Sequence, residues 1–265
     1  MKKLIIIIIL FILPFGLSSQ NIKPPDKNAS KITGGDTNIS TPYFSAAVGW
    51  TFPFGEMGNR YSSFFNVNGD LGWKTINNWI FAVEFGFQFG SNNVKHLEDY
   101  LSTLYTNDHN NFIVGTDGTD AGVVAYNRNL SLVFSAGKIF NVFNDNPNSG
   151  LEISLSGGFL QHQIIYEASQ SRVFQLEDDY KYGYDRQMRG PMAGLFLGYR
   201  HISKKAYANW YAGVHYNIAW TKMTRDYQFD LMSGDNTRYT DHMITLKIGW
   251  MFPFFGRSSN KIYYY

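Results

Sequence analysis

The side chains of this chain that could do chemistry are few and scattered. There are 6 histidines and no cysteine in 265 residues, which excludes thiol catalysis, zinc–thiolate sites and disulfides. His96, Asp108, His109, Ser156, Asp241 and His242 are the residue types of a hydrolytic centre. No spacing among them sets a nucleophile beside its base on adjacent strands. Asp117-Gly-Thr-Asp120 and Asn144-Asp-Asn-Pro-Asn-Ser-Gly150 place oxygen ligands at short intervals, as calcium loops do. Both hold too few carboxylates, and Asn, Gly and Pro are what turns require in any case. The chain is therefore read as a non-enzyme, with no catalytic, cofactor-binding or metal-ligating residue assigned and no cofactor expected.

A second group of charges is more regular. Asp70, Glu84, Glu152, Arg200 and Lys247, with His162 and His215 near them, each lie in a segment that alternates strictly between apolar and polar residues. From Trp79 to Phe89 the alternate positions Trp79, Phe81, Val83, Phe85, Phe87 and Phe89 are large and apolar, while Ile80, Ala82, Glu84, Gly86 and Gln88 fill the other face. Side chains alternate across a strand, so one face is greasy and the other small or polar. A soluble sheet would bury the greasy face. Repetition of the pattern along the chain points instead to a barrel with an apolar outside and a polar inside.

Seven further segments repeat it: from Thr41, then Ser63–Trp73, Asn129–Phe140, Gly150–Tyr166, Met192–Ile202, Tyr207–Thr224 and Tyr239–Phe255. The expected fold is all-β, an eight-stranded antiparallel transmembrane β-barrel with short periplasmic turns and long extracellular loops. Loop length supplies an independent check. The connections Lys74–Asn78, Asn141–Ser149 and Ser203–Ala206 are short and alternate with longer ones, the layout of outer-membrane barrels. An interior of this width is filled by side chains, so its charges must pair with one another. They either plug the lumen or gate a narrow pore by exchanging partners.

The ends agree. Met1-Lys2-Lys3, the apolar run Leu4–Leu13 and small residues up to Ser19 read as a signal peptide, residues 1–19. Residues 20–42 form a periplasmic lead-in, 43–255 the barrel and 256–265 a tail. Removing Lys2 and Lys3 from the 23 basic residues leaves 21 against 21 acidic ones, with no basic excess for nucleic acid. The 22 Phe, 18 Tyr and 6 Trp suit aromatic girdles at two membrane interfaces. Mean hydropathy is −0.24, because alternation averages out. One repeat has no assigned reason: Val48-Gly-Trp-Thr-Phe-Pro-Phe-Gly55 is echoed by Ile248-Gly-Trp-Met-Phe-Pro-Phe-Phe-Gly256.

The signal peptide, eight alternating strands and the aromatic final strand Ile244–Phe255 together resemble the OmpA/OmpX-like small outer-membrane β-barrels, in particular the Bacteroidetes type. The resemblance covers residues 41–255 and implies integral insertion in the outer membrane of a Gram-negative bacterium, among lipopolysaccharide and other lipids. It implies function poorly, because this fold serves adhesins, anchors, lipid-modifying enzymes and complex subunits. The loops carry the remaining signal. In loop 91–128, Val94, Leu97, Tyr100, Leu101, Leu104 and Tyr105 recur at helical spacing and predict an amphipathic helix of about three turns. Loop 167–189 mixes tyrosines with both signs of charge, a composition suited to contact with protein or glycan. The expected role is surface interaction, or an accessory subunit of an envelope complex, with an envelope protein bound through 91–128 and 167–189. The alternatives are a narrow passive pore and a lipid A-modifying enzyme.

Overall fold

The computed structural model describes residues 38–106, 112–142, 146–203 and 208–254. The expected signal peptide, most of the lead-in and the tail lie outside them. Eight antiparallel strands close into a ring: β1 (Thr41–Phe54), β2 (Phe64–Lys74), β3 (Trp79–Phe89), β4 (Val123–Phe140), β5 (Gly150–Ala168), β6 (Met188–His201), β7 (Trp210–Met223) and β8 (Arg238–Pro253). Each strand pairs with its sequence neighbours, and β1 closes the ring against β8. Closure pairs every strand on both sides, which a bilayer demands because hydrocarbon offers no partner to a bare N–H or C=O.

Every alternation read from the sequence holds. Phe44, Val48, Trp50, Leu71, Phe85, Phe134, Leu155, Phe159, Leu246 and Ile248 point outward and are exposed, with Leu155 at 67 % and Phe159 at 66 %. Side chains this apolar stay bare only where the solvent is itself apolar. The barrel is therefore a membrane-spanning one. Trp73, Trp79, Tyr199, Trp210 and Trp250 gather toward the rim with short turns, and Trp50, Phe65, Phe87 and Phe89 toward the other.

The strands run further than expected at the loop rim. β4 begins at Val123 rather than Asn129, β5 continues to Ala168, and β6 begins at Met188 rather than Met192. At 18 and 19 residues, β4 and β5 exceed the ~9–11 that cross a bilayer. Beyond the bilayer the outward face meets water while the inward face stays buried at Ala125, Asn127 and Ile164. The outward apolar set therefore stops while the ladder continues, Val123 still opposite Ala168. The loops are correspondingly 90–122 and 169–187. At the short-turn rim β1 begins at Thr41, where the alternation is expected to start. There Lys74 Nζ donates to Ile39 O (3.0 Å) and to Asn148 Oδ1 (2.9 Å), tying the lead-in to turn 141–149.

The unexplained repeat acquires a geometry. Val48 lies opposite Ile248, and the two copies run antiparallel about that pair along the β1–β8 seam. Pro53 and Pro253 thus fall at opposite rims, each where a strand ends and a missing N–H costs no ladder bond. Gly249 lies opposite Tyr211 and faces inward with it; a Cβ at Gly249 would sit 2.4 Å from Tyr211 Cζ. Gly72 stands to Tyr43 in the same way at 2.3 Å. Inward glycines here make room for inward tyrosines. Replacing Gly249 with Val should destabilise the barrel by about 1–3 kcal/mol through overpacking, read as a lower urea midpoint in detergent; an unchanged midpoint would contradict this packing.

Candidate functional site

The lumen is layered. Nearest the short turns, Tyr43, Ile80, Ile139, Ile202 and Met251 form an apolar plug. Above it Arg200 meets Glu152 through two bonds, Nε to Oε2 at 2.6 Å and Nη2 to Oε1 at 3.1 Å. Its guanidinium lies 4.5 Å over the Tyr211 ring and 5.4 Å from that of Tyr43. Lys247 pairs with Glu84. Asp70 accepts from Ser45 and from Tyr211 Oη at 3.4 Å. His215 Nε2 lies 3.3 Å from Ser156 Oγ. The five lumen charges and His215 thus form one network around a cavity of about 40 Å³, room for a water or two rather than a channel.

A second apolar layer follows, with Met57, Tyr61, Phe64, Leu160, Met192 and Met243 at its centre. Part of it comes from α1 (Gly55–Arg60), a one-turn helix in what the sequence shows only as a short loop. Met57 at its centre is fully buried. Against this layer His162 Nε2 meets Asp241 Oδ2 at 3.2 Å, Thr221 donates to the same oxygen at 2.6 Å, and Tyr61 Oη lies 3.3 Å from His162 Nδ1. The sequence reading placed His162 near the lumen charges but set Asp241 among the hydrolytic candidates. That Asp241 faces inward could have been found from its even spacing to Met243, Thr245 and Lys247.

The other enzymatic candidates are not brought together. His96 sits in the left-handed region (φ 54°) before the helical turn α2 (Leu97–Tyr100), and His242 faces outward onto Tyr216 Oη at 2.8 Å. Asp108 and His109 lie outside the described residues. The loop oxygens close turns: Asp117 Oδ1 accepts from Thr119 N and Oγ1 (3.0 and 2.8 Å), and Asn146 Oδ1 accepts from Asn148 N at 3.0 Å. Residues 144 and 145 are outside the described set. Among the described residues no three His, Cys, Asp or Glu side chains are placed to hold a metal ion.

Over the loop rim sits a folded cap. Leu101, Ile113, Ala121, Val173, Leu176 and Tyr184 are buried together, with Leu97, Leu104, Tyr105 and Phe229 packed around them. Three loops therefore share one core: 90–122, 169–187 and, unanticipated, 224–237. The three-turn helix expected over Val94–Tyr105 is reduced to α2. Bridges from Tyr61 to Val94 and from Tyr105 to Ile113 capture both ends of the segment, and a single turn has little intrinsic stability of its own. The apolar spacing still delivers Leu97, Tyr100, Leu101 and Leu104 to one side. Arg186 pairs with Asp230 and lies 4.8 Å over Tyr100; Arg225 pairs with Asp185 and lies 4.3 Å over Tyr182. Hydrogen bonds from Ser171 and then Thr119 hold the Asp117 carboxyl down at about 2, and the bond from Arg172 lowers that of Glu177.

No protein-family model matches the sequence, and no curated protein matches it either. Among solved structures, the chain is similar to the attachment invasion locus protein Ail of Yersinia pestis in complex with the heparin analogue sucrose octasulfate. That match has 10% identity and a TM-score of 0.42, covering 80% of this chain and 99% of that one. Neisserial surface protein A is 14% identical at a TM-score of 0.39, covering 82% and 99%. The N-terminal β-barrel domain of Pseudomonas aeruginosa OprF is 12% identical at 0.36, covering 81% and 100%.

Two expectations follow from the lumen and the cap. Arg200→Ala leaves Glu152 charged and unpaired in the interior and should cost about 3–5 kcal/mol, whereas Arg200→Met with Glu152→Leu should cost far less; urea unfolding in detergent compares them, and equal losses would sink the pairing argument. For the cap, the folded pKa values of Asp117 and Glu177 lie below their unfolded ones. The stability their bonds add is present above the unfolded value of about 4 and is lost as pH falls through the folded one. Loop 169–187 should resist pepsin near pH 4 and become cleavable as pH approaches 2, while Leu101→Ser should make it cleavable at both.

Proposed function

We propose that this outer-membrane barrel is a non-enzymatic interaction protein that presents its cap, residues 90–122 and 169–187 with 224–237 packed against them, to an envelope or cell-surface partner. The observation that carries the reading is the contrast between a filled lumen and a structured exterior. Ion pairs and apolar layers occupy the barrel from end to end, while the loops have a buried core of their own, which chain connection alone does not require. The non-enzymatic reading is supported by burial: His162, Asp241 and Thr221 are fully shielded, and Ser156 with His215 lies in the enclosed network, where a substrate has no path. The Bacteroidetes-type affinity remains part of this proposal and rests on the sequence resemblance.

The narrow-pore reading needs the Arg200–Glu152 and Lys247–Glu84 pairs to exchange partners, and both are hydrogen-bonded within a closely packed layer. Recording in planar bilayers should show no steady ion conductance; a stable open level would favour the pore instead. The interaction reading is tested by pull-down of the tagged protein from outer membranes in gentle detergent. A stoichiometric partner, lost when Tyr180 and Tyr182, both exposed on the cap, are changed to Ser, is the expected result. A partner retained by that variant would move the contact off the 169–187 loop, and recovery of the barrel alone would count against the reading.

A further inference from the structure

On the outward face at the loop rim, the ladder changes character halfway round the barrel. One set of paired residues runs Trp50, Phe65, Phe89 and then Arg128, opposite Gln163. The adjoining set runs Leu130, Gln161, Arg189, Lys222 and Arg238 from β4 to β8. The first three strands end their apolar band in aromatics; the last five end it in cations and amides. No carboxylate shares those rungs.

Over β4–β6 the 169–187 loop roofs this face and leaves a cleft of about 820 Å³, lined by Arg128, Gln161, Gln163, Lys181, Tyr182 and Arg189 among others. Its geometry is fixed from several sides. Gln187 Nε2 donates to Gln163 Oε1 at 2.7 Å, and Arg189 Nε donates to Gln161 Oε1 at 2.8 Å, which sets the plane of its guanidinium. The Arg225–Asp185 pair pins the loop. The pairing of Arg172 with Glu177 and Arg225 with Asp185 uses most of the acid lining the cleft. Arg128, Lys181 and Arg189 have no carboxylate within ion-pair distance among the described residues, and Asp178 is the one acid in the lining outside a pair there. The cleft is thus a preformed anion site. Directly below it on the same wall are Leu130 and Phe159, both exposed, and Gly157 opposite Ala193. A Cβ at Gly157 would meet only Met192 O, at 3.9 Å, so the apolar wall is hollowed there.

An anionic cleft ligand and a hollowed apolar wall beneath it describe an amphiphile. We propose that this cleft binds the phosphate groups of an outer-leaflet glycolipid, held by Arg128, Lys181 and Arg189, with its acyl chains against Leu130, Phe159 and the hollow at Gly157. Arginine forks match phosphate oxygens in pairs, and a guanidinium is more weakly hydrated than an ammonium and so gives up less water on binding. Lipid binding here does not require that the cap also bind a protein, although Tyr182 lines the cleft and belongs to the proposed protein contact.

Native mass spectrometry of the detergent-solubilised full chain tests it, with three probes: bisphosphorylated lipid A, its dephosphorylated form, and soluble inositol hexakisphosphate. The wild type should retain the bisphosphorylated lipid at about tenfold lower concentration than the dephosphorylated one, the scale of one charge-assisted bond. R128Q/R189Q should lose that preference, and K138Q, a cation at the opposite rim, should keep it. If the double variant does not fold, K181Q lies in the loop, outside the barrel wall, and carries the same expected direction. Equal retention of both lipids by the wild type, or a preference surviving R128Q/R189Q, overturns the site. Displacement of the lipid by an equal concentration of inositol hexakisphosphate assigns the cleft to a soluble polyphosphate and overturns the lipid assignment.

Discussion

Hydrocarbon supplies no hydrogen bonds, and the rest of this structure follows from that single deficit. A spanning strand must give every N–H and C=O to a neighbour, so the sheet has to close. Closure by β1 on β8 then assigns each residue to lipid or to lumen, with no third environment within the bilayer. The outward set is obliged to be apolar and the inward set is free to be polar. Eight strands leave too little width for bulk water, so whatever polarity the interior takes must satisfy itself.

The interior solves this by layering. Charges sit where aromatic rings and opposite charges surround them: Arg200 between Glu152, Tyr43 and Tyr211, and Lys247 between Glu84 and Tyr211. Apolar layers on both sides of that network deny it water. The inward glycines are the counterpart of the inward tyrosines, since a ring lying across the barrel needs a neighbour without a side chain. Breaking one member of such a set leaves the others uncompensated, which is why the network acts as a structural plug and why a gating role would be difficult to combine with it.

Strand order, parity and the sorting of short and long connections were legible in the sequence because lipid enforces a strict period of two. The same enforcement explains where reading failed. Val123–Arg128 and Met188–Pro191 belong to strands, but their outward positions stand in water above the bilayer, so the outward apolar set that marks a spanning strand is missing although Ala125, Asn127 and Met188 are buried inside. The α1 turn was invisible because six residues carry no period. The helix expected over Val94–Tyr105 had the right face and the wrong length: its apolar spacing reports burial, and bridges to Tyr61 and Ile113 decided the backbone. The inward charges were identified one by one, while their partners depended on register across distant strands. His162 and Asp241 are 79 residues apart in the chain, and only the closed ladder brings them within reach. The 224–237 loop gave no apolar period to announce that it joins the cap: it does so through Phe229 and the ion pairs of Arg225 and Asp230 with Asp185 and Arg186.

The repeated Gly-Trp-x-Phe-Pro-Phe segments show how the same constraint acts at the two interfaces. Running antiparallel about Val48 and Ile248, they place an aromatic-Pro-aromatic terminus at each rim of one seam, a proline where the ladder stops and aromatics where the bilayer meets water. Both interfaces pose one chemical problem, and on β1 and β8 the chain answers it with one sequence. Along the loop rim it does not: from Phe89 to Arg128 a single rung exchanges an aromatic boundary for a cationic one. An aromatic anchor holds the barrel at a depth and is indifferent to the lipid beside it. A cation on the outer wall discriminates among head groups. Depth is set wherever the girdle is aromatic, so the switch to arginine and lysine on β4–β8 adds an azimuthal direction to a ring that closure alone would leave without one, and the 169–187 loop arches over that side.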